Sequence, residues 1–378
     1  MQAIHITAFQ PSISSLHPTS VPHPPAPAHD EALIEIHCAA LNHVDILYAQ
    51  GKHQNNTSLV RPPFTLGLEF AGTIIALGTS NSVPAAANVA ETAGRGGSDG
   101  HEETAEEDAT RFRVGDRVFG ASLGAYAERI VVPLRSLHHV PRSWTFEDAA
   151  GLAATASVAY GALAIRAGVR TGDWVLVHGA AGGIGVYACQ IAKALGAKVI
   201  AGVRRSGETE KLAALRRLGC VDGVVETGPS SDKGGWEKEV MKLTAGKGVD
   251  VVVDNVGLVK ESLRCLRPIG GKIILVGFAG RGGVMEQVSV NRILLRQAVV
   301  MGYRYGDTDR KNPQETQDIW TGLMALIAKG LVKPIIFEKK YHGLENVRTA
   351  MEDLQARKVY GKAVIRVKGA TNTTKAAL

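Results

Sequence analysis

An α/β fold built on a doubly wound parallel sheet, accompanied by a second, β-rich domain, is what this sequence predicts. Three observations predict it. Residues 173 to 206, DWVLVHGAAGGIGVYACQIAKALGAKVIAGVRRS, read as strand, Gly-rich turn, helix and strand in immediate succession. Beyond them, short apolar runs and helical stretches keep alternating as far as Tyr303. Before them, the chain alternates polar and apolar residues between Gly and Pro turns, as half-buried strands do. At 378 residues the chain exceeds one ordinary core, so two domains are expected. The expected boundaries are 1–143 for the β-rich domain and 144–306 for the parallel sheet, with 307–378 returning to the first.

Taken in order, Ala32 to Ala39 and Phe70 to Leu77 are strand candidates, and Pro22 to Pro27 mark a surface loop. Residues 79 to 110 have no aromatic residue and end in an acidic cluster, Glu102 to Asp108, so they read as a disordered loop insertion or an interaction segment. Strands resume in RVGDRVFG and GAYAERIVVP. Thr145 to Ala167 reads as largely helical, with Glu147 and Asp148 favouring its N-terminal dipole. Trp174 to His178 is a buried strand, Val186 to Leu195 a helix stopped by Gly196, and Lys198 to Val203 the next strand. Helix Glu208 to Leu218, strand Asp222 to Glu226 and helix Trp236 to Leu243 follow. Strands Val249 to Asp254, Gly271 to Val276 and Val299 to Tyr303 complete the sheet. In the tail, a helix opens at Asn312-Pro313 and ends near Gly330. Strand Ile335 to Lys339, helix Leu344 to Gln355 and strand Ala363 to Val367 close the chain.

The Gly-rich turn carries the first functional signal. Ala180, Gly182, Gly183, Ile184 and Gly185 stand where a pyrophosphate must approach backbone N–H groups at a helix N-terminus. An NAD-binding unit places Asp or Glu at the end of the second strand to hold the ribose hydroxyls. Here Val203 is followed by Arg204, Arg205 and Ser206. Two guanidiniums and a hydroxyl suit a 2′-phosphate, and so point to NADPH; a solvated basic turn is the alternative.

Composition narrows the classes. A 45% hydrophobic content fits a globular chain, and no apolar run approaches the ~18 residues of a membrane span. The first fifteen residues lack the basic and apolar regions of a signal peptide. Cys38, Cys189, Cys220 and Cys265 are far apart, which argues against a disulfide framework or a Cys-rich zinc site and fits a reducing, cytoplasmic setting. The net charge of +7 is scattered without a Lys/Arg block, so nucleic acid is not the expected partner.

Several motifs together resemble the medium-chain dehydrogenase/reductase superfamily, in its zinc-independent quinone oxidoreductase and enoyl reductase-like branch. They are AALNHVD (39–45), PFTLGLEFAG (63–72), VGDRV (114–118), GAYAE (124–128), VLVHGAAGGIG (175–185), VVVDNVG (251–257), GGKIILVG (270–277) and GKAVI (361–365). The resemblance implies a GroES-like catalytic domain and a Rossmann domain binding NADPH. Asn42 and Leu68 stand where zinc-dependent members have Cys and His, so the usual tetrahedral ligands are missing. Glu69 remains beside Leu68 and reads as a buried structural carboxylate.

The resemblance also assigns residues. Asn42 matches an active-site Asn that donates to an acceptor carbonyl, or closes a turn. The branch often has Tyr at two positions that hold Leu47 and His53 here. Tyr48 stands one place off and, on a helix, faces another way. Asn42, Tyr48 and His53 are therefore the candidate catalytic residues. Lys211 matches a phosphate-binding Lys, whose usual Tyr companion is Glu226 here. Asn255 and Phe278 match positions around the nicotinamide, with turn formation and core packing as their alternatives. Thr155 and Gly277 complete the cofactor set. Hydride transfer from NADPH to an apolar conjugated carbonyl or a quinone is the implied reaction, on a secondary metabolite or xenobiotic. One-electron quinone reduction is the alternative within enzymes, and a nucleotide-regulated RNA-binding or structural role the alternative outside them. By analogy, a homodimer would form near Val299 to Tyr303.

Overall fold

The computed structural model describes residues 1–78, 112–204, 209–228, 235–281 and 286–367. The expected loop at 79–110 lies outside the described residues. Contacts divide the chain into two units. The first comprises Met1–Ala153, Lys339–Glu352 and the stretch from Val364; the second comprises Ala154–Glu338 and Asp353–Ala363.

The first unit is β-rich. Its seven-stranded sheet runs Tyr341–His342, Val364–Arg366, Glu31–Ala40, Glu69–Leu77, Arg117–Ala121 and Leu137–His139, with Arg129–Pro133 also paired to Glu31–Ala40. Alternation made the long strand legible: Ala32, Ile34 and Ile36 point into the core between half-exposed neighbours. From Cys38 onward all three residues are buried, because Val364–Arg366 joins this strand there.

The second unit is a six-stranded parallel sheet. Its order is Gly223–Thr227, Lys198–Arg204, Trp174–His178, Val251–Asp254, Lys272–Leu275 and Val299–Gly302. Numbered by appearance within the unit, that is 3-2-1-4-5-6, the dinucleotide-binding order, with its reversal beside the first strand. Leu176, Ile200, Val225, Val252 and Ile273, from five adjacent strands, meet in one apolar cluster with Trp236 and Val240. Strands buried on both faces read as continuous apolar runs, which is why the sequence revealed them.

The largely helical stretch expected over 145–167 is present as Phe146–Ala150, Ala156–Tyr160 and a π-helical stretch, Gly161–Ala167. Tyr303 packs against the last of these, its hydroxyl only 2.0 Å from where a Cβ on Gly161 would stand. Two expectations need correction. The strand expected at Ile335 to Lys339 is reduced to one bridge, Ile336 to Lys362. The tail does not return as one piece to the first unit. Helix Pro313–Ala328 belongs to the second, where Gly322 admits Tyr160 and Glu315 pairs with Arg166 at 2.7 Å.

One buried histidine makes the second unit acid-sensitive. His178 ends the first parallel strand and has no exposed surface. Ser262 donates its hydroxyl to the Leu258 carbonyl at 2.6 Å, so its oxygen accepts from His178 Nε2 at 2.8 Å. Nδ1 is left without a hydrogen-bond partner among the described residues. Burial lowers the imidazole pKa from its ordinary 6.5, against the opposing charges of Asp254 and Glu286. The unfolded chain therefore binds a proton that the fold refuses, and stability falls as pH drops through and below 6.5. Melting temperature should decline between neutral and mildly acidic pH, and His178→Gln should flatten that decline. Equal slopes in the two proteins would show that another group titrates.

Candidate functional site

In the second unit the site begins at the turn after Trp174–His178. Gly179 adopts φ +58, and Gly182 N donates to its carbonyl at 2.9 Å. Ala180 is fully buried and donates to the Gly202 carbonyl at 3.1 Å, tying the turn to the second strand. Gly182 is the N-cap of helix Gly183–Ala194. The helix thus presents its unpaired N–H groups at the C-terminal edge of the sheet, where an anion is stabilised.

The glycines do different things. A Cβ on Gly185 would stand 2.2 Å from the Gly179 carbonyl oxygen and 2.6 Å from Ala180 Cα, so only glycine lets the helix pack on the turn. A Cβ on Gly182 would stand 3.3 Å from the same oxygen, a tight contact rather than a clash, so this position is less constrained by packing than Gly185. Ile184, between them, is half-buried. Asn255 packs its side-chain oxygen 2.5 Å from the Cβ position of Gly179, and its carbonyl accepts from Ala279 N at 3.0 Å. Gly277 lies against the Asn255 backbone. Gly179, Asn255 and Gly277, from the ends of the first, fourth and fifth strands, therefore converge. Phe278 is 40% exposed, which overturns core packing as its alternative and leaves an aromatic face beside this convergence.

Thr155 is buried beside Gly183, and Lys362 lies on the other side with only 1% of its surface exposed. A Cβ on Gly183 would stand 3.1 Å from Lys362 Cδ and 3.4 Å from Thr155 Cγ2. The stem of a buried lysine thus packs on the first turn of an anion-binding helix, where its charge is a candidate partner for a pyrophosphate. Sequence reasoning missed it, although GKAVI contains it; the motif was read as pattern rather than as charge.

Arg204 ends the second strand with an exposed side chain, while Arg205 and Ser206 lie outside the described residues. Lys211 does not stand alone: its ammonium donates to the carbonyl of Arg357, a residue in the left-handed region at φ +61. Arg357 is itself exposed, a residue the sequence did not single out. Glu226 is exposed on the neighbouring strand, in register with Val203 and one place before the partner of Arg204.

In the first unit, Asn42 caps helix His43–Ala49, and its backbone N–H donates to Asp45 Oδ2 at 2.8 Å. Its side-chain Nδ2 donates to Glu69 Oε1 at 2.9 Å. Asp45 Oδ2 also accepts from the Tyr126 hydroxyl at 2.6 Å. Burial, then the Asp45 carboxylate, push the Tyr126 phenol well above its ordinary range. Asp45, Glu69 and Tyr126 are completely buried and Asn42 is 9% exposed. The turn-closing role of Asn42 is therefore real.

Tyr48 and His53 form a second cluster. Their rings lie 4.2 Å apart, and Asn55 holds both: its Nδ2 donates to Tyr48 Oη at 2.8 Å and its N–H to His53 Nδ1 at 3.1 Å. The latter bond leaves the proton of a neutral His53 on Nε2. Tyr48 is six residues from Asn42, about 9 Å along the helix axis, so the three candidates do not form one constellation.

A zinc site does not fit these residues. Asn42 is engaged as cap and amide donor, Leu68 offers no lone pair, and no group of three or more His, Cys, Asp or Glu among the described residues could hold a metal. All four cysteines are buried free thiols; burial raises Cys38 and Cys265 to about 12.

Comparison with known proteins agrees with this anatomy. Residues 28–142 match the alcohol dehydrogenase GroES-like domain and residues 183–329 the domain described as zinc-binding dehydrogenase. The chain belongs to the medium-chain dehydrogenase/reductase superfamily. Within it, the chain falls in the quinone oxidoreductase-like branch. It is 30% identical over 342 residues to quinone oxidoreductase-like protein 2 of Bos taurus, covering 89% of this chain and 85% of that protein. It is 34% identical over 275 residues to a quinone oxidoreductase of Pseudomonas aeruginosa, covering 70% and 79%. A mycobacterial protein solved with NADPH superposes with TM-score 0.78 at 27% identity, covering 97% of this chain and 99% of that one. No helix among the described residues is long and apolar enough to cross a membrane.

The two glycines should separate fold from binding. Gly185→Ala should cost about 1–3 kcal/mol through the clash with Gly179. Gly182→Ala should keep the melting temperature and weaken dinucleotide binding. Thermal melts with cofactor titrations check both, and the reverse pattern would contradict the assignment.

Proposed function

We propose that this chain is an NADPH-dependent, zinc-free oxidoreductase that transfers a hydride to the activated C=C of an α,β-unsaturated carbonyl or to a quinone. The observation that carries the reading is the strand–turn–helix cradle with Arg204, instead of an acid, at the end of the second strand. The names of the Bos taurus and Pseudomonas aeruginosa relatives, and the NADPH bound to the mycobacterial neighbour, support it.

NADPH, when bound, supplies the hydride. The helix N-terminus at Gly182, with Lys362 at its first turn, would hold the pyrophosphate; Arg204, Arg205, Ser206 and Lys211 would hold the 2′-phosphate; Asn255, Gly277 and Phe278 would border the nicotinamide. In a conjugated acceptor the negative charge develops on oxygen, away from the carbon that receives hydride, and that oxygen needs a donor. Asn42 supplies an amide N–H there. The Tyr48–His53 pair is the source of the proton that follows.

Each charge-assisted bond to a phosphate contributes ~1.5–3 kcal/mol, so NADPH should bind more tightly than NADH by tenfold or more. Arg204→Ala/Arg205→Ala should erase most of that preference; equal affinities in the wild type would sink it. For the reaction, nicotinamide-deuterated NADPH should deliver deuterium to the β-carbon of an enone. Unlabelled product, or semiquinone detected with quinones, would overturn two-electron transfer.

The partner surface follows from the sheet edge. Val299–Gly302 ends the sheet, and beside it helix Val290–Leu295 exposes Val290 at 78%, Leu294 at 75% and Leu295 at 78%. A strand with no further neighbour among the described residues, flanked by apolar side chains, suits a second copy of the chain. Light scattering should report a dimer, and Leu294→Asp/Leu295→Asp a monomer. A monomeric wild type would refute this.

A further inference from the structure

We infer that Glu69 is the positioning residue for Asn42, holding the amide in the one orientation that serves the acceptor oxygen. The inference rests on the reading of Asn42 given above and extends it to a residue that has so far had only a structural role.

The geometry is specific. Glu69 opens strand Glu69–Leu77 and is completely buried, where an ionisable side chain is costly unless its oxygens are bonded. One of those oxygens accepts from Asn42 Nδ2 at 2.9 Å, across 27 residues of sequence. An apolar residue would fill a buried strand position at lower cost, so the carboxylate is retained for what it holds. An amide nitrogen carries two N–H bonds in one plane. Donating one to Glu69 fixes the torsion of the side chain and thereby the direction of the other. The backbone end of Asn42 is fixed independently, by Asp45 Oδ2 at 2.8 Å, itself held by Tyr126. Asn42 is thus clamped at main chain and side chain by two different carboxylates. The cap is closed by Asn42 and Asp45 together, and the Glu69 bond holds the plane of the amide from a second strand. Preorganised donors of this kind act because no reorientation is needed as charge develops.

Reach and charge can be separated by substitution. Glu69→Gln keeps an oxygen at the same reach and removes the charge. Glu69→Asp keeps the charge and withdraws the oxygen by one methylene. If Glu69 positions Asn42, Gln should stay within about threefold of wild-type kcat. Asp should lose about as much as Asn42→Ala, on the order of 10²–10³, with NADPH affinity little changed and a lower melting temperature, since a buried amide and carboxylate lose their bond. The double variant Asn42→Ala/Glu69→Asp should be no worse than Asn42→Ala alone, because both remove the same contact. A second readout does not require turnover. Acetophenone, a conjugated ketone with no activated C=C, should bind in the presence of NADP+, and Asn42→Ala and Glu69→Asp should weaken it by the same factor. Additive losses in the double variant, a Gln variant as impaired as Asp, or unequal effects on acetophenone binding would overturn the positioning role. Absence of enone and quinone turnover in the wild type, with equal effects on acetophenone binding, would instead fault the proposed reaction and leave the Glu69–Asn42 pair standing.

Discussion

The second unit depends on one close approach. Helix Gly183–Ala194 lies so near the turn that precedes it that position 185 has no room for a Cβ, with the Gly179 oxygen 2.2 Å away from where it would be. That approach points the first turn of the helix along the C-terminal edge of the sheet. It also leaves Gly182 less constrained by packing and brings Thr155 and Lys362 to the sides of Gly183. Strand order does the rest: the reversal beside the first strand lets Asn255 and Gly277 reach the same point from the other side. Dinucleotide chemistry is a consequence of this packing, because backbone N–H groups converge only when the chain can come that close.

The first unit solves a different problem, that of keeping polar groups in a dry place. Asp45, Glu69 and Tyr126 are buried together, and each bonds to a neighbour: phenol to carboxylate, backbone N–H to carboxylate, amide to carboxylate. A pair of aromatic rings, Tyr48 and His53, sits at the far end of the same short helix and is held by Asn55.

What the sequence revealed follows from period and punctuation. Trp174–His178 and Trp236–Leu243 match expectation residue for residue, since both are bounded by turn residues. The cofactor turn was legible for the same reason. Failures came where long-range contacts override local pattern. Nothing near Gly161 announces that Tyr303 will pack against it, and nothing in Ile335 to Lys339 shows that its pairing stops at a single bridge. Lys362 and Arg357 escaped because their meaning depends on Gly183 and Lys211, far away in the chain. Asn55 escaped because an Asn within a short 3₁₀ turn reads as ordinary turn chemistry.

The central claim is that a cation buried at the helix N-terminus completes a pyrophosphate cradle. Fluorescence titration of NADPH against wild type and Lys362→Met tests it most directly, because Met keeps the buried stem and deletes the charge. A tenfold or greater rise in Kd, at unchanged melting temperature, is the predicted result. An unchanged Kd would contradict the account and return Lys362 to packing alone.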